Sequence, residues 1–169
     1  MSEYLIDFCI HLARAIAKGQ KTATYKPLSQ GELRLYAANT IVPSPYGQVG
    51  DVLWVREPYG LLNGTVVYRA SYTEDGYRAK ITLPDDIEIP AVAMTREQAR
   101  LLLTVTSIDI VHLQVVDEVA AIAAGTLPSQ GRTTYLDEFK TQWNDAYRRQ
   151  SWDTNPLVWR VNFTANVPA

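Results

Sequence analysis

Apolar positions recur at helical spacing near the start of the chain, where Leu5, Cys9, Leu12, Ala13 and Ile16 fall on one side of a spiral. This predicts an amphipathic helix over residues 8–18, capped by Asp7 and closed by Gly19. From Gly47 to Ala70 the period shortens. VLWVRE (52–57) and TVVYRA (65–70) are rich in β-branched and aromatic residues, with Pro58-Tyr59-Gly60 and Asn63-Gly64 as turn chemistry, and read as a hairpin or meander. Residues 71–90 are polar and carry Pro84 and Pro90, which predicts a long loop around one short strand. Thr95-Arg96-Glu97-Gln98 has the form of a capping box and should open a short helix. LLLTVTSIDIV (101–111) reads as a long strand, Asp117 to Ala124 as a short helix closed by Gly125, and 126–132 as a loop. Leu136, Phe139, Trp143, Ala146 and Tyr147 mark one face of a helix over 134–148, capped by Thr133 or Thr134. After the Asn155-Pro156 turn, LVWRVNF (157–163) is a closing strand. Strands interleaved with short helices predict a mostly β, α+β domain: a small, largely antiparallel barrel with helices packed outside.

Composition narrows the partners. The 169 residues fit one domain spanning 1–169, with 28–46 and 71–90 as insertions or long loops. A 47% hydrophobic fraction is that of an ordinary globular protein. Sixteen basic against eighteen acidic residues leave a formal charge of −2, so any polyanion must be met by a local patch rather than a global field. Cys9 stands alone, which excludes an internal disulfide and suits a reducing, cytoplasmic compartment. With only His11 and His112 beside it there is no metal-ligand spacing, and neither a metal nor another cofactor is expected. The apolar N-terminal residues are interrupted by Glu3, Asp7, His11 and Arg14, unlike a signal peptide, and no segment reads as a membrane span.

The chemistry concentrates in GQKTATYK (19–26). On a regular strand Thr24 and Lys26 share a face, and Lys21 joins them only from the bend after Gly19. A threonine hydroxyl needs a base to become a nucleophile, and a desolvated lysine can serve. Most strand starts rich in lysine and threonine are simply solvated edges. Arg56 and Glu57 end an apolar strand, so one of them faces inward: a carboxylate there would orient a base, an arginine would grip a phosphate. As rim charges they would do little. Among the aromatics, Trp54 and Tyr68 offer rings if they face a cleft, and Tyr72, Tyr77 and Trp152 lie in loop positions suited to base contact. Arg96 and Arg100, one helical turn apart, would make a small basic patch.

The order of words along the chain resembles the ASCH family of the PUA-like superfamily, particularly its phage and prophage type. The words are GQKTAT (19–24), VGDVLWVRE (49–57), AMTREQARLLLTVTSI (93–108), HLQVVDEVAAIAAG (112–125), FKTQWND (139–145) and WDTNPLVWRVNF (152–163). The resemblance implies a PUA-like pseudo-barrel of mixed and antiparallel strands with flanking helices. It also implies a cleft associated with RNA or nucleoside recognition; the residues expected to contact such a ligand are Lys21, Thr24, Lys26 and Arg56, with a ring from Trp54 or Tyr68 if either faces the cleft. A weaker similarity is to bacterial acetylcytidine amidohydrolases, whose Gly-x-Lys-Thr-x-Thr segment would make Lys21 the base and Thr24 the nucleophile, with Lys26 supporting the substrate. Those enzymes need a glutamate at the end of the short helix, where this chain has Ala124. A methyl group donates no proton, so the expected function is an RNA- or nucleoside-binding domain. The alternatives are a hydrolase (amidohydrolase or ribonuclease) using Lys21 and Thr24, with Glu57 or Glu118 replacing the missing acid, and a phage-encoded protein-interaction module.

Overall fold

The computed structural model describes residues 1–71, 87–128 and 133–167. Its framework is a five-stranded sheet built from β1 (Glu3–Asp7), β2 (Ala23–Pro27), β3 (Val52–Arg56), β7 (Leu102–His112) and β8 (Leu157–Asn166), in the order β1-β3-β7-β8-β2. β1 and β3 run parallel and every other pair is antiparallel. A smaller antiparallel sheet holds β4 (Tyr59–Leu62) between β5 (Thr65–Tyr68) and β6 (Ile87–Ile89). The helices are α1 (Ile10–Ala17), α2 (Gln30–Ala37), α3 (Glu118–Ala123) and α4 (Tyr135–Ala146). The fold is therefore α+β, but the large sheet is open. β1 and β2 are its two edges, and among the described residues no pairing closes it into the expected barrel. No described helix is long and apolar enough to cross a membrane.

Both faces of the large sheet are covered. On one, Ile6, Leu53, Val55, Leu103, Val161 and Phe163 pack with Phe8 and with Ala13 and Ile16 of α1. On the other, Ala23, Tyr25 and Val158 meet Ala121 of α3 and Phe139 and Trp143 of α4. Phe139 takes the edge of the Tyr25 ring at 5.8 Å and stacks on Trp143 at 6.2 Å. Each fully buried aliphatic side chain of this kind contributes about 1.5–3 kcal/mol.

Several elements differ from the sequence expectation. Glu3–Asp7 is a strand, not the approach to a helix: Ile6 is buried between exposed Leu5 and Asp7, and the row pairs with β3 from Glu3↔Val52 to Asp7↔Arg56. Asp7 does not cap α1. Its carboxylate is held by Arg56, and Cys9 stands at the N-cap without a side-chain capping bond. The segments 52–57 and 65–70 are not hairpin partners, because β3 lies between β1 and β7. The hairpin is β4–β5, where Asn63 (φ 51°) and Gly64 (φ 80°) both adopt the left-handed backbone that a two-residue turn requires. The 28–46 region contains α2, opened by a capping box in which Glu32 N–H donates to Ser29 Oγ and Ser29 N–H donates to Glu32 Oε2. Arg96–Gln98 is a single 3₁₀ turn.

The remaining elements follow expectation with shifted ends. α3 is capped by Asp117, α4 by Thr134, and β8 runs three residues further, to Asn166. Of the predicted 71–90 loop, residues 72–86 lie outside the described residues, as do 129–132 of the loop after α3.

Candidate functional site

Lys21 sits where two helices end. α1 closes with Gly19 N–H donating to Ile16 O and Gln20 N–H to Ala15 O, and the next amide, Lys21 N–H, also donates to Ala15 O. α3 closes in the same way through Gly125 and Thr126, and its C-cap carbonyl, Ala124 O, accepts from Lys21 Nζ at 2.7 Å. A second acceptor, Ala23 O, lies at 2.7 Å at the start of β2. The side chain is 2% exposed. Burial, reinforced by the Lys26 ammonium, lowers its pKa from the ordinary 10.5 to about 7. The partial negative charge at the end of α3 and two carbonyl acceptors are what make a buried ammonium tolerable. In the neutral amine the same two carbonyls would occupy both N–H groups and leave the lone pair free.

Gly125 makes this approach possible. Its φ is +81°, and a Cβ there would stand 3.0 Å from Lys21 Cβ and 3.3 Å from Ala15 Cβ. Gly125→Ala is expected to cost about 1–2 kcal/mol, as left-handed backbone does for an L-residue. Urea unfolding checks it, and a change below a few tenths of a kcal/mol would contradict the packing described.

Lys26 reaches the same place from the strand. Thr24 and Lys26 pair with Val161 and Trp159 of β8 and so lie on the α1 side of the sheet. The two ammonium groups flank one ring, with Lys21 Nζ at 5.1 Å and Lys26 Nζ at 5.5 Å from the centroid of Phe8. Burial lowers the pKa of Lys26, against the attraction of Asp7 and Cys9. Among the described residues neither lysine forms an ion pair. Beside them Cys9 Sγ and His11 Nδ1 share a hydrogen bond at 3.2 Å, and burial followed by the charge of Lys21 holds His11 below the usual imidazole value. Phe8 and Cys9 at the junction of β1 and α1, and His11 in the first turn of α1, belong to no motif that marks them in the sequence as part of this site.

The other predicted residues stand apart. Thr24 is buried on the lysine side. Trp54 and Arg56 alternate with Leu53 and Val55 and therefore face the opposite side of the sheet from Thr24. Arg56 forms a bidentate pair with Asp7, Nε to Oδ1 at 2.6 Å and Nη2 to Oδ2 at 2.9 Å, and Nη1 donates to Val92 O. Glu57 is the inward member of the Arg56–Glu57 dyad. It is 1% exposed, and both oxygens accept from Arg100, at 2.8 and 3.0 Å. Arg100 also lies over the Tyr68 ring at 4.3 Å and donates to Ser71 Oγ, while Tyr68 Oη donates to Gln98 O.

Arg96 is paired with Glu3, so it and Arg100 form no open basic patch. Glu118 accepts from Tyr135 N–H and Leu136 N–H and serves as a clasp between α3 and α4. Trp152 packs edge-on to Phe139 under Lys140. Tyr72 and Tyr77 lie outside the described residues.

No family model matches the chain, and neither does any curated protein. Solved structures do. An ASCH domain from Lactobacillus crispatus superposes with a TM-score of 0.53 at 15% identity, covering 97% of this chain and 79% of its own. The chain has the fold of an ASCH domain. Protein EF3133 from Enterococcus faecalis aligns over 99% of this chain and 82% of its own, at 14% identity and a TM-score of 0.49. A single-substitution variant of ZmASCH from Zymomonas mobilis aligns over 97% and 70%, at 9% identity and a TM-score of 0.44. Within the ASCH fold, then, GQKTAT is the corner at which α1, α3 and β2 meet.

Proposed function

We propose that this ASCH-fold chain is an RNA- or nucleoside-binding domain whose contact surface is built on Lys21, Thr24 and Lys26. The observation that carries the reading is the lysine pair. Two basic groups, both desolvated, share one aromatic ring with no carboxylate between them; Lys21 already donates to two carbonyls, so Lys26 is the member of the pair that an incoming anion would partner. With a formal charge of −2 on the whole chain, attraction to a polyanion has to come from a patch of this kind.

A second reading, hydrolysis, is favoured by one contact. Ala124 O binds Lys21 Nζ, so the helix-end position that carries an acid in acetylcytidine amidohydrolases lies beside the lysine. Here that position holds a methyl group, and the Glu57 carboxylate is occupied by Arg100. Loss of a general acid removes about 100- to 10,000-fold in rate, which places binding first.

Fluorescence titration of single-stranded RNA against salt tests the reading. Binding is expected to weaken in Lys21→Met and Lys26→Met, with each lost phosphate contact lowering the log–log salt slope by about 0.7. RNA binding that is indifferent to both changes would overturn it. Turnover of acetylcytidine that disappears in Lys21→Met and Thr24→Ala would put the hydrolase in its place. A specific protein partner with neither activity would favour an interaction module.

A further inference from the structure

The two edges of the large sheet are finished differently. Along β2, Phe163 N–H donates to Thr22 O, so Thr22, Thr24 and Lys26 bond to β8 and the backbone groups of Ala23, Tyr25 and Pro27 point outward. That side is closed off. Pro27 has no N–H to offer, Ala23 O is taken by Lys21 Nζ, and Ala23 and Tyr25 are buried.

The outer side of β1 has none of these devices. Val52 N–H donates to Ser2 O and Phe8 N–H donates to Arg56 O, so Ser2, Tyr4, Ile6 and Phe8 bond to β3. The N–H and C=O groups of Glu3, Leu5 and Asp7 therefore point away from the sheet. Among the described residues, β3 is the only element that runs along β1. Glu3, Leu5 and Asp7 are exposed, and the strand contains no proline, lysine or bulge. A row of donors and acceptors turned to solvent is a template for one more strand.

The side chains favour a second copy of the same strand. Antiparallel pairing about a two-fold axis at Leu5 sets Leu5 against its own copy and Glu3 against Asp7 of the second copy. Two bare carboxylates meeting there would repel. Here each already holds a guanidinium. Arg96 donates to both oxygens of Glu3 at 2.7 Å, and the Arg56 fork holds Asp7, so two neutral ion pairs meet instead. Val92, whose carbonyl accepts from Arg56, adds an exposed apolar side chain beside that fork.

We infer that β1 is a dimerisation edge whose occupant is β1 of a second copy, running antiparallel, so that two five-stranded sheets become one continuous sheet. The inference is independent of the binding reading, since Lys21, Thr24 and Lys26 belong to β2 and the bend before it. One short strand and a few flanking side chains make a small interface, so the dimer is expected to form at micromolar rather than nanomolar concentration.

Sedimentation equilibrium of the full chain over a concentration series, with amide hydrogen exchange measured at both ends of the series, tests it. The wild type is expected to pass from monomer to dimer. The Glu3, Leu5 and Asp7 amides should exchange about tenfold or more slowly at the concentrated end. The Tyr4 and Ile6 amides, bonded to β3, should be equally protected at both. Leu5→Lys sets two ammonium groups face to face and should raise the dissociation constant about tenfold or more. Leu5 is exposed, so the variant should fold, and the wild-type exchange pattern locates the contact without it. A wild type that stays monomeric throughout would overturn the inference, even if the edge then accepts an extended segment of some other protein. A dimer whose Leu5 amide exchanges at one rate across the series, or that Leu5→Lys leaves intact, would overturn the location.

Discussion

Arg100→Met is expected to destabilise the fold by about 3–5 kcal/mol, the loss typical of stranding one member of a buried ion pair. Glu57 is 1% exposed, and both its oxygens take their hydrogen bonds from the Arg100 fork. Removing the guanidinium leaves a carboxylate that water cannot reach, and also removes the cation over the Tyr68 ring. The double variant Glu57→Met, Arg100→Met should regain most of that loss, because two apolar side chains of similar volume need no partner. Urea unfolding of the wild type, the single variant and the double variant measures this directly. A single variant within about 1 kcal/mol of the wild type would show that the pair behaves as a solvated rim contact.

The second large effect is a pH dependence. An unfolded lysine keeps its proton up to the ordinary 10.5, whereas folded Lys21 releases it near 7, because burial and then the Lys26 charge disfavour the ammonium. Between those values the unfolded chain binds more protons, so the contribution of Lys21 to unfolding free energy rises with pH, by up to about 1.4 kcal/mol per unit. The penalty for burying the charge is present in full below about 7 and is relieved as pH climbs towards 10.5. Lys21→Met has no such proton to lose. The wild type should therefore gain on the variant steadily from about pH 7 to about pH 9 and run parallel to it below. Curves that stay parallel across that whole window would mean that the lysine titrates at its ordinary value.

Periodicity made α1, α3 and α4 legible, because each presents a regular apolar face with a visible stop or cap: Gly19 after α1, Gly125 after α3, Thr134 before α4. β7 and β8 were equally plain, being long and rich in β-branched residues. β1 was hidden by its neighbours. Leu5 and Cys9 continue a helical spacing into α1, while the alternation that makes 3–7 a strand is only five residues long. The capping box at Ser29 and Glu32 is the local signal of α2, inside a segment whose lack of a long apolar face reads as an insertion or long loop.

Pairing was beyond reach, since nothing local tells VLWVR that its partners are residues 3–7 and 102–104 rather than 65–68. At the site, alternation correctly put Thr24 and Lys26 together. That Lys21 would be capped by two carbonyls, or that Arg56 would be taken by Asp7, depends on elements far away in sequence.

The central ladder has a consequence for synthesis on the ribosome. β7 and β8 pair from Leu102 with Asn166 to His112 with Leu157, and β2 has β8 as its partner in the sheet. Until the last strand emerges, β2 has no neighbour to dock against and β7 has one bare flank. The nascent chain must therefore carry β2 unpaired from its synthesis until β8 is made, joined by one bare flank of β7 once residue 112 has been added, a window in which holdase chaperones would find their target.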